Sequence, residues 1–122
     1  MVVTGLGIVS PVGNNVSTAW DNILAGKSGI TRITKFNPDN FSSQIAGEVK
    51  NFDVEQYMDR KESRRLDKFS QYAIAASDEA IKDAGITDDN VDKSRVGVIW
   101  GAGIGGLETF QDEVLNYAKG DG

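Results

Sequence analysis

The run Val96-Gly-Val-Ile-Trp100, followed by Gly101-Ala-Gly-Ile-Gly-Gly106, constrains this chain more than any other stretch. The first part is apolar on both faces of a would-be strand. Such a strand belongs to a parallel or mixed sheet covered by helices. Leu107, Phe110, Val114 and Ala118 then recur at spacings of three and four, which predicts a helix. The junction therefore reads strand, turn, helix, with four glycines in six residues. Glycine there permits positive φ and close approach by a neighbour or ligand. In open α/β sheets these turns lie at the carboxyl ends of strands, where ligands bind.

The rest of the chain reads as scaffold. Val2-Val3-Thr4 predicts a short strand, broken by the glycine-proline loop from Gly5 to Gly13. Thr18 with Asp21 resembles a capping box, and Ala19, Trp20, Ile23 and Leu24 form one apolar face of a helix that stops at Gly26. Residues 27–43 read as irregular, Gln44–Val49 as a short edge strand, and Asp53–Met58 as one or two helical turns. A strong helix follows, with Leu66, Phe69, Ala73, Ala76, Ala80 and Ala84 on its seam and Gly85 closing it. The alanines predict close packing against a neighbour. Gln71 and Glu79 fall on its other faces. Thr87–Asp92 reads as a solvated acidic loop and short helical start; it lacks the glycine and distant glutamate of a calcium loop. Two or three strands are too few to cover a doubly buried one, so the chain reads as the first part of a larger α/β domain.

Chemistry is bounded by what is missing. The 122 residues include no Cys and no His, so a thiolate zinc site, a disulfide framework and the commonest general base are all excluded from this chain. Its serines have no histidine to activate them. The net charge of −5 argues against nucleic-acid binding. No run approaches the roughly 18 apolar residues of a membrane span, and the first residues lack the pattern of a signal peptide. The expectation is a cytoplasmic chain.

Two motifs stand out. Gly101-x-Gly103-x-x-Gly106 matches a dinucleotide fingerprint, but the required acidic residue at the end of a second strand is missing; Asp121 has roughly the spacing without the strand. A tight turn packing strand on helix, or a glycine floor beneath another ligand, competes with nucleotide binding. The second motif is Arg60-Lys61-Glu-Ser-Arg64-Arg65-Leu-Asp-Lys68. Five of the 13 basic and two of the 18 acidic residues lie in these nine positions, so the segment carries +3 and the remainder −8. On one helix Lys61, Arg64, Arg65 and Lys68 would share a face near its N-terminus, where cations oppose the macrodipole. Either they are a solvated face paired with Glu62 and Asp67, or they dock an acidic partner or a phosphate group.

Several blocks together are similar to one family. They are Val2-Val-Thr-Gly-Leu-Gly-Ile-Val-Ser-Pro-Val-Gly13, Ala25-Gly-Lys-Ser-Gly-Ile30, Lys61-Glu-Ser-Arg-Arg-Leu-Asp-Lys-Phe-Ser-Gln-Tyr72, Asp83-Ala-Gly85 and Arg95–Gly106. In this order they resemble the N-terminal part of β-ketoacyl-[acyl-carrier-protein] synthases, most of all the elongating synthase II type. Ala102 departs from the serine of many members. The resemblance implies a thiolase-like α/β fold, layered α-β-α-β-α, of which residues 1–122 are an incomplete N-terminal portion. It implies decarboxylative condensation of malonyl-carrier protein with an acyl thioester in fatty-acid elongation, by a cytoplasmic homodimer with no cofactor and no metal. Its catalytic Cys and two His are expected downstream of this chain. By the same resemblance, Lys61, Arg64 and Arg65 match positions that dock acyl carrier protein. Ile104 matches the apolar residue at the bottom of the acyl pocket. A non-catalytic relative, such as a chain-length factor, keeps the fold and lacks the Cys, and residues 1–122 are compatible with it because the deciding positions are not among them.

Overall fold

A computed structural model describes residues 1–120. In chain order it holds α1 (Val16–Leu24), β1 (Ile30–Arg32), β2 (Ile45–Gly47), α2 (Arg60–Ser63), α3 (Lys68–Asp83) and α4 (Leu107–Lys119). Two 3-10 turns, Val54–Gln56 and Lys93–Arg95, punctuate the connections. Asp121, the candidate acidic partner of the glycine fingerprint, lies outside the described residues.

The organising contact runs between α3 and the residues before α1. Gly5 and Gly7 lie so close to α3 that a Cβ on Gly5 would meet Ala84 N at 2.6 Å, and one on Gly7 would meet Ala80 N at 2.9 Å. Only the pairing of glycine with alanine permits that approach. The expected tight alanine seam is therefore real, and its neighbour is an extended arm. Carboxylates of α3 secure the arm: Leu6 N–H donates to Asp83 Oδ2 and Ile8 N–H to Glu79 Oε2, both at 2.9 Å. The other oxygen of Glu79 accepts from Val16 N–H at 2.8 Å, satisfying a free donor at the start of α1. Glu79 thus faces inward, not outward as its polarity suggested. The buried apolar residues of the core are Ala19, Met58, Ala73, Ala75 and Ala76, and Pro38 is buried in the loop between β1 and β2.

Helix ends follow the side chains that satisfy them. α1 starts earlier than Thr18 because Asn15 caps it, its side chain accepting from Thr18 N–H at 2.8 Å. Of its expected apolar face only Ala19 is buried. Gly26 and Gly85 take φ of 66° and 64° just past α1 and α3, as the C-terminal glycine signal requires. The stretch 27–43, expected to be irregular, contains β1. It pairs antiparallel with β2, Ile30 opposite Gly47 and Arg32 opposite Ile45. The edge strand expected at 44–49 is β2. Gly29 and Gly47 let this hairpin sit against Pro11, with would-be Cβ contacts of 2.8 and 2.9 Å.

Two expected strands do not form. Val2–Thr4 and Val96–Trp100 make no ladder among the described residues, and the sheet there is two-stranded and antiparallel. Val98, Ile99 and Trp100 are 63%, 98% and 56% exposed. The physical reason is pairing: an apolar run becomes a strand only beside another strand's N–H and C=O groups, and none lies next to this one.

Candidate functional site

The basic segment is not one helix face. Asp59 caps α2, its Oδ1 accepting from Lys61 and Glu62 N–H, each at 2.8 Å. α2 then lasts four residues, and Arg64 is its C-terminal cap. Arg65 and Leu66 turn the chain, Asp67 stands at the N-cap position of α3 without a side-chain bond to its N–H groups, and Lys68 is its first residue. Leu66, placed on the α3 seam by its spacing, lies in this turn. The break corrects the electrostatic expectation as well. Arg64 caps the C-terminal end of α2, where the dipole favours a cation, whereas Lys61 in the first turn of α2 and Lys68 at the start of α3 oppose one.

The break also gathers Arg60, Lys61, Arg64, Arg65 and Lys68 on an exposed corner. Among the described residues none of the five forms an ion pair; the pairs there are Arg32–Asp39, Lys35–Glu108, Lys82–Asp78 and Lys93–Asp88. Glu62 and Asp67 do not neutralise the corner. Asp67 instead turns its carboxylate away, where Oδ1 accepts from the Thr109 hydroxyl in the first turn of α4.

That carboxylate meets the glycine turn. Gly106 takes φ of 72° as the N-terminal cap of α4, and a Cβ there would lie 2.9 Å from Asp67 Oδ2. Gly105 has no room either, with the Phe69 ring at 2.7 Å from a would-be Cβ, whereas Gly101 and Gly103 face open space. Two carboxylates, Asp67 and Glu108, thus occupy the start of α4, where a nucleotide phosphate would have to bind. The dinucleotide reading is not favoured.

Ile104 is 80% exposed and lines a cavity of about 470 Å³. Phe69, Tyr72 and Leu66 supply its apolar wall, and Lys35, ion-paired to Glu108 at 3.1 Å, closes one side. Burial pushes the Tyr72 hydroxyl above its ordinary pKa, with Lys35 pulling it down and Glu108 up. Asp67 therefore stands between the two regions singled out from the sequence: the basic corner precedes it, and the turn bearing Ile104 rests on it.

Lys35 and Gln71 are the residues missed from sequence. Lys35 comes from a loop with no motif. Gln71 lies four residues before buried Ala75, a second stripe on α3 that polarity concealed.

The comparisons with known proteins settle the family. The model for the N-terminal domain of β-ketoacyl synthases matches residues 1–121. The chain belongs to that family. It is 49% identical over 111 residues to a 3-oxoacyl-[acyl-carrier-protein] synthase 2 of Staphylococcus aureus strain N315, covering 91% of this chain and 27% of that protein. A Vibrio cholerae synthase 2 is 50% identical over the same length, again with coverages of 91% and 27%. The chain thus spans about a quarter of the length of these relatives. Among solved structures, a type II PKS ketosynthase bound to a hexaketide, in complex with its acyl-carrier protein, superposes with a TM-score of 0.69. It is 26% identical and covers 98% of this chain and 31% of its own. The ishigamide ketosynthase/chain length factor gives 0.65 at 33% identity, covering 74% and 22%. The thiolase-like α/β class expected from the sequence is the fold of this family.

Proposed function

We propose that this chain is the carrier-docking and acyl-pocket portion of a 3-oxoacyl-[acyl-carrier-protein] synthase of the elongating kind. The complete enzyme would lose CO₂ from malonyl-carrier protein. The resulting carbanion attacks an acyl thioester carbonyl and expels the thiolate, leaving a 3-oxoacyl chain two carbons longer. This chain, without Cys or His, supplies none of the covalent or proton-transfer groups. Its part is binding, in a cytoplasmic homodimer that needs no cofactor. Identity of 49–50% to synthases 2 over 91% of this chain supports the catalytic branch.

One observation carries the docking role: five exposed cations without ion pairs on a chain of net charge −5. An acidic partner such as acyl carrier protein would be steered to this corner and oriented by it. The test is Arg64→Glu with Arg65→Glu in the full-length protein. Affinity for acyl carrier protein should fall about 100-fold near 50 mM salt, with a smaller loss at high salt, because reversed charges repel the partner. Unchanged affinity would end the docking reading. Ile104 serves as the floor of the acyl pocket in the same proposal. Ile104→Phe should shift products toward shorter acyl chains, and an unaltered chain-length profile would remove Ile104 from that role.

A further inference from the structure

Gln71 is a buried polar side chain, 6% exposed, for which the binding roles above have no use. Its amide nitrogen donates to Ser63 C=O at 2.8 Å and to Leu66 C=O at 2.9 Å. Both protons of the amide are thereby used, and only the NH₂ end can face two carbonyls. The two acceptors bracket Arg64 and Arg65. Ser63 is itself 7% exposed, and its hydroxyl donates to Arg60 C=O at 3.1 Å. The corner is otherwise held by Arg65 N–H on Glu62 C=O at 2.9 Å and a long 3.3 Å bond from Leu66 N–H to Ser63 C=O. Gln71 is thus the one α3 side chain whose hydrogen bonds fix the α2–α3 break. The opposite end of its amide, Oε1, is buried with no partner. An unsatisfied buried oxygen is unfavourable, so an apolar residue would suit the core better and could not hold the corner.

We propose that Gln71 is a positioning residue for carrier docking: it locks residues 63–66 so that Arg64 and Arg65 project as one rigid pair. This rests on the docking reading of the basic corner. A preorganised pair of long cations loses less freedom on binding than a mobile one.

The test uses the full-length protein. Gln71→Met conserves volume and removes both donors, and Gln71→Asn keeps the amide but is one methylene shorter. Both should raise the Kd for acyl carrier protein and the KM for carrier-bound substrate about tenfold, the order of one lost charge-positioning interaction. Turnover of a carrier-free acyl thioester should hold within about twofold, since the acyl pocket is untouched. In an Arg64→Glu/Arg65→Glu background, Gln71→Met should add no further loss. Equal losses on carrier-bound and carrier-free substrates would mean a purely structural glutamine and overturn the proposal. So would wild-type binding by both Gln71 variants while Arg64→Glu/Arg65→Glu binds poorly, an outcome that leaves docking standing. Unaltered binding in Arg64→Glu/Arg65→Glu would instead remove the docking reading itself, and this inference with it.

Discussion

Residues 5–8 and residues 96–100 are both short apolar stretches interrupted by glycine, and both border α3. The first is fastened. Its glycines admit the backbone of α3, and Asp83 and Glu79 accept its free N–H groups at 2.9 Å. The second is not. Beyond Val96 N–H on Lys93 C=O, its backbone donors find no acceptor among the described residues, and no atom lies within 4 Å of where a Cβ on Gly97 would stand. Between it and α3 lies an apolar cavity of about 510 Å³ lined by Phe69, Ala73, Ile74 and Ile81 on one side and Val98 and Trp100 on the other. Apolarity makes burial favourable in both stretches. Geometry decides which one achieves it, because backbone donors must be paired before a segment can be dried.

The largest expected effect breaks this comparison at the level of the whole segment. Residues 1–122 in isolation should show no cooperative melt, and Trp100 should emit as a solvated indole. Apart from Met58 and Pro38 the buried apolar side chains are alanines, and no large side chain falls below 2% exposure. Such a core cannot offset the roughly 1–2 kcal/mol per residue of backbone entropy lost on folding. A single sharp calorimetric transition would show that the arm and α3 suffice without a covered second stretch.

A second prediction attacks the fastened side. Gly7→Val in the full-length protein should cost about 3 kcal/mol or more, because the new side chain overlaps the main chain of α3, which cannot move without shifting the helix. Chemical denaturation measures it. A cost under about 1 kcal/mol would mean that the arm is not packed as tightly as the glycine–alanine contact implies.

The same contrast explains what could be read from the sequence. Helix ends are local, so α4 starts and stops where its glycines sit, and Gly26 and Gly85 mark their helices. The seam of Ala73, Ala76, Ala80 and Ala84 was legible because periodicity reports which face packs. What packs there was not. The break at Arg64–Asp67 was hidden because Leu66 happens to fit the α3 period. Gln71 and Glu79 read as solvent-facing because polarity does not reveal a side chain turned inward to serve another segment's backbone. β1 was missed because Ile30–Arg32 is three residues long and acquires its identity only from β2. Val96–Trp100 shows the reverse error: composition states a preference for burial, while strand formation needs a partner. At the site, the excess charge of 60–68 was plain from sequence, whereas its freedom from Glu62 and Asp67 is a matter of geometry.

The smallest effect sharpens the comparison through pH. Glu48 follows β2 and does for the hairpin what Glu79 does for the arm. Its carboxylate accepts from the Thr34 hydroxyl at 2.7 Å and from Thr34 N–H at 3.1 Å. The hydroxyl bond, then the backbone bonds from Thr34 and Lys35, hold its pKa below the ordinary value of 4.5 against a small opposing effect of desolvation. A lowered folded-state pKa means that the carboxylate form favours folding. The contribution is therefore complete above about pH 4.5 and is lost as pH falls through the folded-state value. In the full-length protein, Glu48→Gln should reduce stability slightly at neutral pH and flatten the acid limb of the stability profile below that point, leaving carrier binding unchanged. A parallel downward shift at every pH would mean that the side chain acts by packing and not by charge. Exchange protection at Thr34 and Lys35 N–H should weaken with acid in the wild type. Residues 97–100 have no carboxylate on their backbone donors, so acid should leave the relative protection of those amides unaltered.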